Sequence, residues 1–217
     1  MWKGMVIEMT IETEDLLNSI LQSLDRIDYI RSEDIPNIDL YMDQVTTFME
    51  TRLKSTVRDE NADKILTKTM INNYAKNNLL PPPLKKKYSK EHVLLLIFIY
   101  YFKGILSIGD IQTLLNPISD EFFGKEDGMK LEDIYREVFT LEKPEVELLK
   151  ADVIDKFKKS GETFADAEEK DKEFLQMFSV ICMLSFDVYV KKLLIEKLLD
   201  GYVKESRNRK TDGKQDK

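Results

Sequence analysis

The chain has 217 residues, a formal net charge of −7, 42 % hydrophobic residues, one cysteine and one histidine. That length and apolar content allow one or two compact domains with a real core, while a lone cysteine excludes an internal disulfide and a multi-cysteine zinc site. The start, Met1–Thr10, is too short and polar for a secretory signal, and the apolar run Phe174–Phe186 is shorter than the roughly 20 residues a membrane span needs. The expectation is a soluble protein in a reducing, cytoplasmic setting, with Cys182 as a small buried hydrophobe inside that run.

The elements follow from apolar periodicity and capping residues. Thr10–Arg31 reads as an amphipathic helix with Leu16, Leu17, Ile20, Leu21, Leu24 and Ile27 on one stripe, Thr13 as N-cap, and Pro36 as the break after it. Asp39–Leu53 repeats the period, and the polar stretch Ser55–Asp63 reads as a loop. Thr67 caps a short helix in which Met70, Ile71 and Tyr74 share a face, and Asn77–Asn78 can take the left-handed conformation that ends it. Pro81–Pro83 lock an extended segment. Ser89 opens a helix, Val93–Phe102, that is apolar on nearly every side and so central to a core; Gly104 ends it. Ser107 caps a further helix, Ile108–Leu115, stopped by Pro117. Helices then follow over Leu131–Leu141, Glu145–Phe157 (Pro144 in its first turn) and Asp166–Val203, with a break at Ser160–Gly161 and a disordered charged tail. Lys86–Tyr88 is the one segment that could be a short strand.

Charge is distributed unevenly. Lys64–Leu106 holds eight lysines against Glu91 alone, a net of +7, which leaves −14 on the remainder. A cationic module in an acidic chain suggests a polyanionic partner for that module. A helix-turn-helix sets its second helix in the DNA major groove and places flanking cations on phosphates. The Thr67–Lys76 helix has the residue types for this: Asn72 and Asn73 can pair with base edges, and Lys68, Thr69 and Lys76 can reach phosphates or guanine. Lys85, Lys86 and Lys87 follow the proline corner as a stiff basic arm.

The string MINNYAKNNLL (Met70–Leu80), a proline, Tyr88-Ser89, an apolar helix and LSIGDIQTLL is similar to the winged helix-turn-helix domain of MerR-type regulators. More closely, LTKTMINNYAKNNLLPPPLKKKYSKEH resembles the signature of an uncharacterised bacterial family, the domain of unknown function 1836, found mainly in Firmicutes; the resemblance covers about Ile35 to Leu115. The MerR resemblance implies that Lys68, Thr69, Asn72 and Asn73 face DNA and that Lys85–Lys87 act as the wing.

Other residues carry blander readings. His92 has no partnering histidine or cysteine and reads as a surface or capping residue rather than a metal ligand. Phe174, Phe178, Phe186 and Tyr189 read as core at helical spacing, with an effector pocket as the alternative. Acidic pairs such as Glu132–Asp133 and Glu168–Glu169 read as solvated faces. No P-loop or Rossmann fingerprint occurs, and no catalytic triad can be built round one histidine, so no cofactor and no enzymatic activity are expected.

The expected architecture is all-α: a helical segment over 1–34, a MerR-like helix-turn-helix module with a short proline-locked wing over 35–118, a helical domain over 119–205, and a disordered tail over 206–217. The expected function is a DNA-binding transcriptional regulator that contacts double-stranded DNA, dimeric through its C-terminal helices and open to an unknown small-molecule effector. The alternative is a non-enzymatic protein-interaction adaptor that keeps the fold without binding DNA, a reading the acidic remainder favours.

Overall fold

The computed structural model describes residues 11–25, 29–57 and 65–212. In chain order it contains α1 (Ile11–Asp25), β1 (Leu40–Tyr41), α2 (Met42–Leu53), α3 (Lys68–Lys76), β2 (Lys87–Tyr88), α4 (Lys90–Phe102), α5 (Ile108–Phe122), α6 (Leu131–Thr140), α7 (Glu142–Gly161) and α8 (Glu169–Asp212). Single turns of 3-10 helix occupy Ser32–Asp34 and Lys54–Thr56. The chain is thus mostly helical, as its periodicity predicts. Most of the loop expected over Ser55–Asp63, together with Lys64 and the last five residues, lies outside the described residues.

The chain divides into two units, one of Met1–Asp28 with Leu141–Lys191 and one of Tyr29–Thr140 with Lys192–Lys217. The core of the second is built round α4. Eight consecutive residues of this helix, His92 to Ile99, are buried, and each buried aliphatic or aromatic side chain is worth about 2 kcal/mol. Around them pack Val45, Met49 and Leu53 of α2, Ile71 and Tyr74 of α3, Ile111 and Leu115 of α5, and Leu131, Tyr135 and Phe139 of α6. Phe98, Tyr135 and Phe139 form an aromatic cluster with ring centroids 4.4–5.5 Å apart. The Tyr135 hydroxyl donates to the Ile30 carbonyl at 2.5 Å, which gives that buried carbonyl a partner.

In the first unit α1 packs on α7 through a smaller cluster: Leu17 with Val153, Phe157 and Val180, flanked by Ile20, Leu21 and Leu24. The apolar stripe of α1 is taken up by α7 and the first part of α8. Polar bonds reinforce the α7–α8 contact. Lys156 pairs with Asp152 on its own helix and with Asp187 of α8 at 2.7 Å. Ser160 Oγ donates to the Gln176 carbonyl at 2.6 Å, and Gln176 Nε2 donates to the Gly161 carbonyl at 3.0 Å.

Several local expectations are corrected. Thr13 lies inside α1, which has already begun at Ile11. Leu40 and Tyr41, expected as the start of a helix, are extended and pair antiparallel with Tyr88 and Lys87. Helix α5 runs through Pro117 to Phe122. Proline costs about 3 kcal/mol inside a helix, but Ile118 and Phe122 beyond it pack on the core and hold the helix together. Cys182 is exposed, not buried, and so are Phe174, Phe178, Phe186 and Tyr189. Their apolar character signalled burial, but α7 occupies the opposite side of α8.

Replacing Tyr135 with phenylalanine keeps the ring packing and orphans the Ile30 carbonyl. An unmet buried acceptor costs about 1–3 kcal/mol, so Tyr135→Phe should lower unfolding stability by that amount, measured by urea denaturation.

Candidate nucleic-acid interface

Helix α3 is short and held at both ends. At its start Thr67 Oγ1 accepts from the Met70 N–H at 3.1 Å. At its end Asn78 adopts φ +56°, the Leu79 N–H reaches the Tyr74 carbonyl at 2.9 Å, and the Asn78 N–H reaches the Ala75 carbonyl at 3.3 Å. These two bonds are the Schellman pattern, in which a left-handed residue satisfies the last carbonyls. Gln112 Nε2 of α5 adds a bond to the Asn77 carbonyl at 2.5 Å. The buried Ile71 and Tyr74 anchor the inner face, and burial pushes the Tyr74 hydroxyl's pKa up. Lys68, Thr69, Asn72, Asn73 and Lys76 are all exposed, and at 100° per residue they fall on one continuous arc. The structure therefore gathers the α3 candidates on a single outward face.

The chain then runs through the buried Leu79 and Leu80 and the prolines into a tight turn. Lys85 and Lys86 have φ +50° and +64°, and the Lys87 N–H donates to the Leu84 carbonyl at 2.9 Å. Two successive left-handed residues closed by such a bond are the type I′ hairpin pattern, which favours Asn-Gly. Lysine at both central positions is a strained choice. It presents the side chains of Lys85 and Lys86 to solvent. The third lysine, Lys87, lies in β2 opposite Tyr41, with its ammonium 5.2 Å from the centre of the Tyr41 ring.

The basic stretch delivers less free charge than its composition suggests. Lys68 is ion-paired with Asp43 of α2. Lys90 pairs with Glu132 at 2.9 Å. Lys103 donates to the Ile65 carbonyl at 2.6 Å and lies over the Tyr100 ring, and burial lowers its pKa. Lys76, Lys85 and Lys86 form no ion pair with any described residue. Asp43 and Tyr41 are thus parts of the site that sequence reasoning missed. Their partners lie far away in the chain: Asp43 meets Lys68 between α2 and α3, and Tyr41 meets Lys87 across a ribbon of two residues per strand, too short to leave a period-2 signal.

His92 braces the start of α4 behind the turn. Its Nδ1 accepts from the Ser89 N–H at 3.0 Å and meets Ser89 Oγ at 2.8 Å, as a capping-box residue does. The ring is buried between Tyr88 and Phe123 in edge contacts of 5.4 and 4.8 Å, so the expected capping role goes with an interior position, not a surface one. Nε2 has no hydrogen-bond partner among the described residues. Burial holds the His92 pKa below its ordinary value, opposed by the carbonyls of Pro82 and Pro81 and by Asp39.

No cluster of three or more histidine, cysteine, aspartate or glutamate side chains suited to a metal occurs among the described residues. None of the described helices is long and apolar enough to cross a membrane. The aromatic residues proposed for an effector pocket are exposed, while a cavity of about 480 Å³ lies elsewhere, between Thr56, Val57, Ile65, Tyr100, Tyr101 and Lys103.

Lys85→Asn combined with Lys86→Gly suits the type I′ turn and should raise unfolding stability by about 1 kcal/mol, read from the urea midpoint at constant slope. Burial holds the folded-state pKa of His92 below its unfolded value near 6.5, so the unfolded chain takes up the proton first as pH falls. Its contribution is therefore complete above that pH and falls as pH drops below it, by at most about 1.4 kcal/mol per unit. His92→Gln retains the acceptor for Ser89 and should shrink the stability loss between pH 7.5 and 5.5.

In comparison with known proteins, the family model of the domain of unknown function DUF1836 matches residues 30–138. No curated protein and no solved structure matches the chain.

Proposed function

We propose, for a chain that belongs to the DUF1836 family, that the outer face of α3 and the lysine turn dock on double-stranded DNA and that the protein acts as a transcriptional regulator. In this reading α2 and α3 form a helix-turn-helix of MerR-like kind, α3 enters the major groove, and the turn at Lys85–Lys86 serves as a minimal wing. The observation that carries it is the outward face of Lys68, Thr69, Asn72, Asn73 and Lys76 on a short helix fixed at both ends. A recognition helix has to hold its register against the groove, and the Thr67 cap and the Schellman end supply that rigidity. Asn72 and Asn73 carry the donor and acceptor pair that matches adenine, and Lys76, Lys85, Lys86 and Lys87 supply phosphate contacts. The reading involves no cofactor and no catalysis, and a cytoplasmic setting accompanies it.

The second reading is a protein-interaction adaptor without DNA binding. The Lys68–Asp43 pair and the seating of Lys87 on Tyr41 favour it, because both occupy, with partners from the same chain, cations that DNA would otherwise recruit.

Fluorescence anisotropy with labelled genomic duplexes at 50 and 200 mM salt separates the two. DNA binding predicts measurable affinity at low salt and a steep loss at the higher concentration. Replacing Lys85, Lys86 and Lys87 together by alanine should weaken binding to every sequence and flatten the log–log salt slope by about 2–3. Absence of binding at 50 mM salt overturns the DNA reading.

A further inference from the structure

Helix α8 carries an apolar surface that its own unit leaves uncovered. Met177, Val180 and Leu184 face α1 and α7, and Gln176 and Asp187 bond to α7 on the same side. On the other side Phe174, Phe178, Ile181, Phe186, Val188 and Tyr189 each keep 52–71 % of their surface exposed. At 100° per residue these side chains, with Cys182 and Ser185 among them, fill one arc of about 160°. Between Asp171 and Lys192 that arc contains no charged residue. At about 200 Å² for a whole aromatic side chain, the six expose on the order of 700 Å². A standard interface takes about 800 Å² from each partner, and monomers rarely leave apolar patches larger than about 600 Å² open.

We infer that this face is a homodimer interface, closed by a second copy of α8 lying antiparallel about a two-fold axis between Ile181 and Cys182. The register is self-complementary, as a two-fold interface requires. Antiparallel pairing about that point sets Phe174 opposite Tyr189 of the second copy and the large Phe178 opposite the small Ser185. It also brings Asp171 against the second copy's Lys192, twice, closing both ends of the apolar strip with opposite charges. A parallel pairing would instead oppose Asp171 to Asp171 and Lys192 to Lys192. The charges thus select the antiparallel arrangement, and the apolar area supplies its strength. Nothing in the inference depends on DNA binding.

Sedimentation equilibrium of the full chain from 1 to 100 µM tests the dimer. A mass near 51 kDa, twice the 25.4 kDa of the chain, is expected, and a 25.4 kDa particle throughout that range overturns it. Ile181→Arg alters a side chain already exposed in the single chain, so helix content by circular dichroism should hold while dimer affinity falls at least 100-fold; an unchanged mass distribution places the interface elsewhere and overturns the inference. Charge exchange tests the register. Asp171→Lys and Lys192→Asp should each weaken the dimer about tenfold, each converting two attractions into repulsions, and the double variant should recover the original affinity. A double variant no tighter than either single one overturns the antiparallel pairing. A vesicle surface or an unrelated protein as the occupant would leave the chain monomeric in this assay.

Discussion

Helix α4 has almost no polar side to offer water, and the second unit is organised by that constraint. From His92 to Ile99 every residue must be covered, so helices have to approach from several directions at once, and α2, α3, α5 and α6 do so. A helix with one apolar stripe can be satisfied by a single neighbour; one that is apolar all round demands a shell. The shell sets the position of α3. Ile71 and Tyr74 are drawn inward, and the residues between them are turned outward as a consequence.

The backbone at the edges of this shell is held in conformations that most residues avoid. Asn78, Lys85 and Lys86 all take positive φ. Asparagine tolerates that region well, and at Asn78 it ends a helix. At Lys85 and Lys86 no such local reason exists: Asn-Gly would relieve the strain and lose both charges. The strain is kept at two solvent-facing basic residues, whose charges stand at the tip of the turn.

Charge counting along the chain overstates what the fold presents. The +7 of Lys64–Leu106 becomes, once packed, a set of lysines with quite different fates: Lys103 pinned to a carbonyl, Lys90 and Lys68 paired with acids, Lys87 laid on a ring. Exposed pairs contribute little energy, about 0–1 kcal/mol, so Lys68 can leave Asp43 at small cost. The lysine at 103, half-buried and hydrogen-bonded, cannot.

The helical class, the caps at Thr67, Ser89 and Ser107, the left-handed end of α3 and the central burial of α4 were legible in the sequence, because each depends on residues within a turn or two of one another. So was the grouping of Lys68, Thr69, Asn72, Asn73 and Lys76, which helical geometry alone puts on one face. What lay beyond reach was every feature set by residues distant in the chain. The β1–β2 ribbon, the Lys68–Asp43 pair and the Tyr41 ring under Lys87 are long-range pairings with no local period. The passage of α5 through Pro117 was decided by packing on the core, which outweighs a local penalty. The aromatic residues of α8 show the division most clearly. Their spacing determined that they share a face, but whether that face is inside or outside depends on where α7 lies, and only the tertiary structure decides which side of a helix its neighbours occupy.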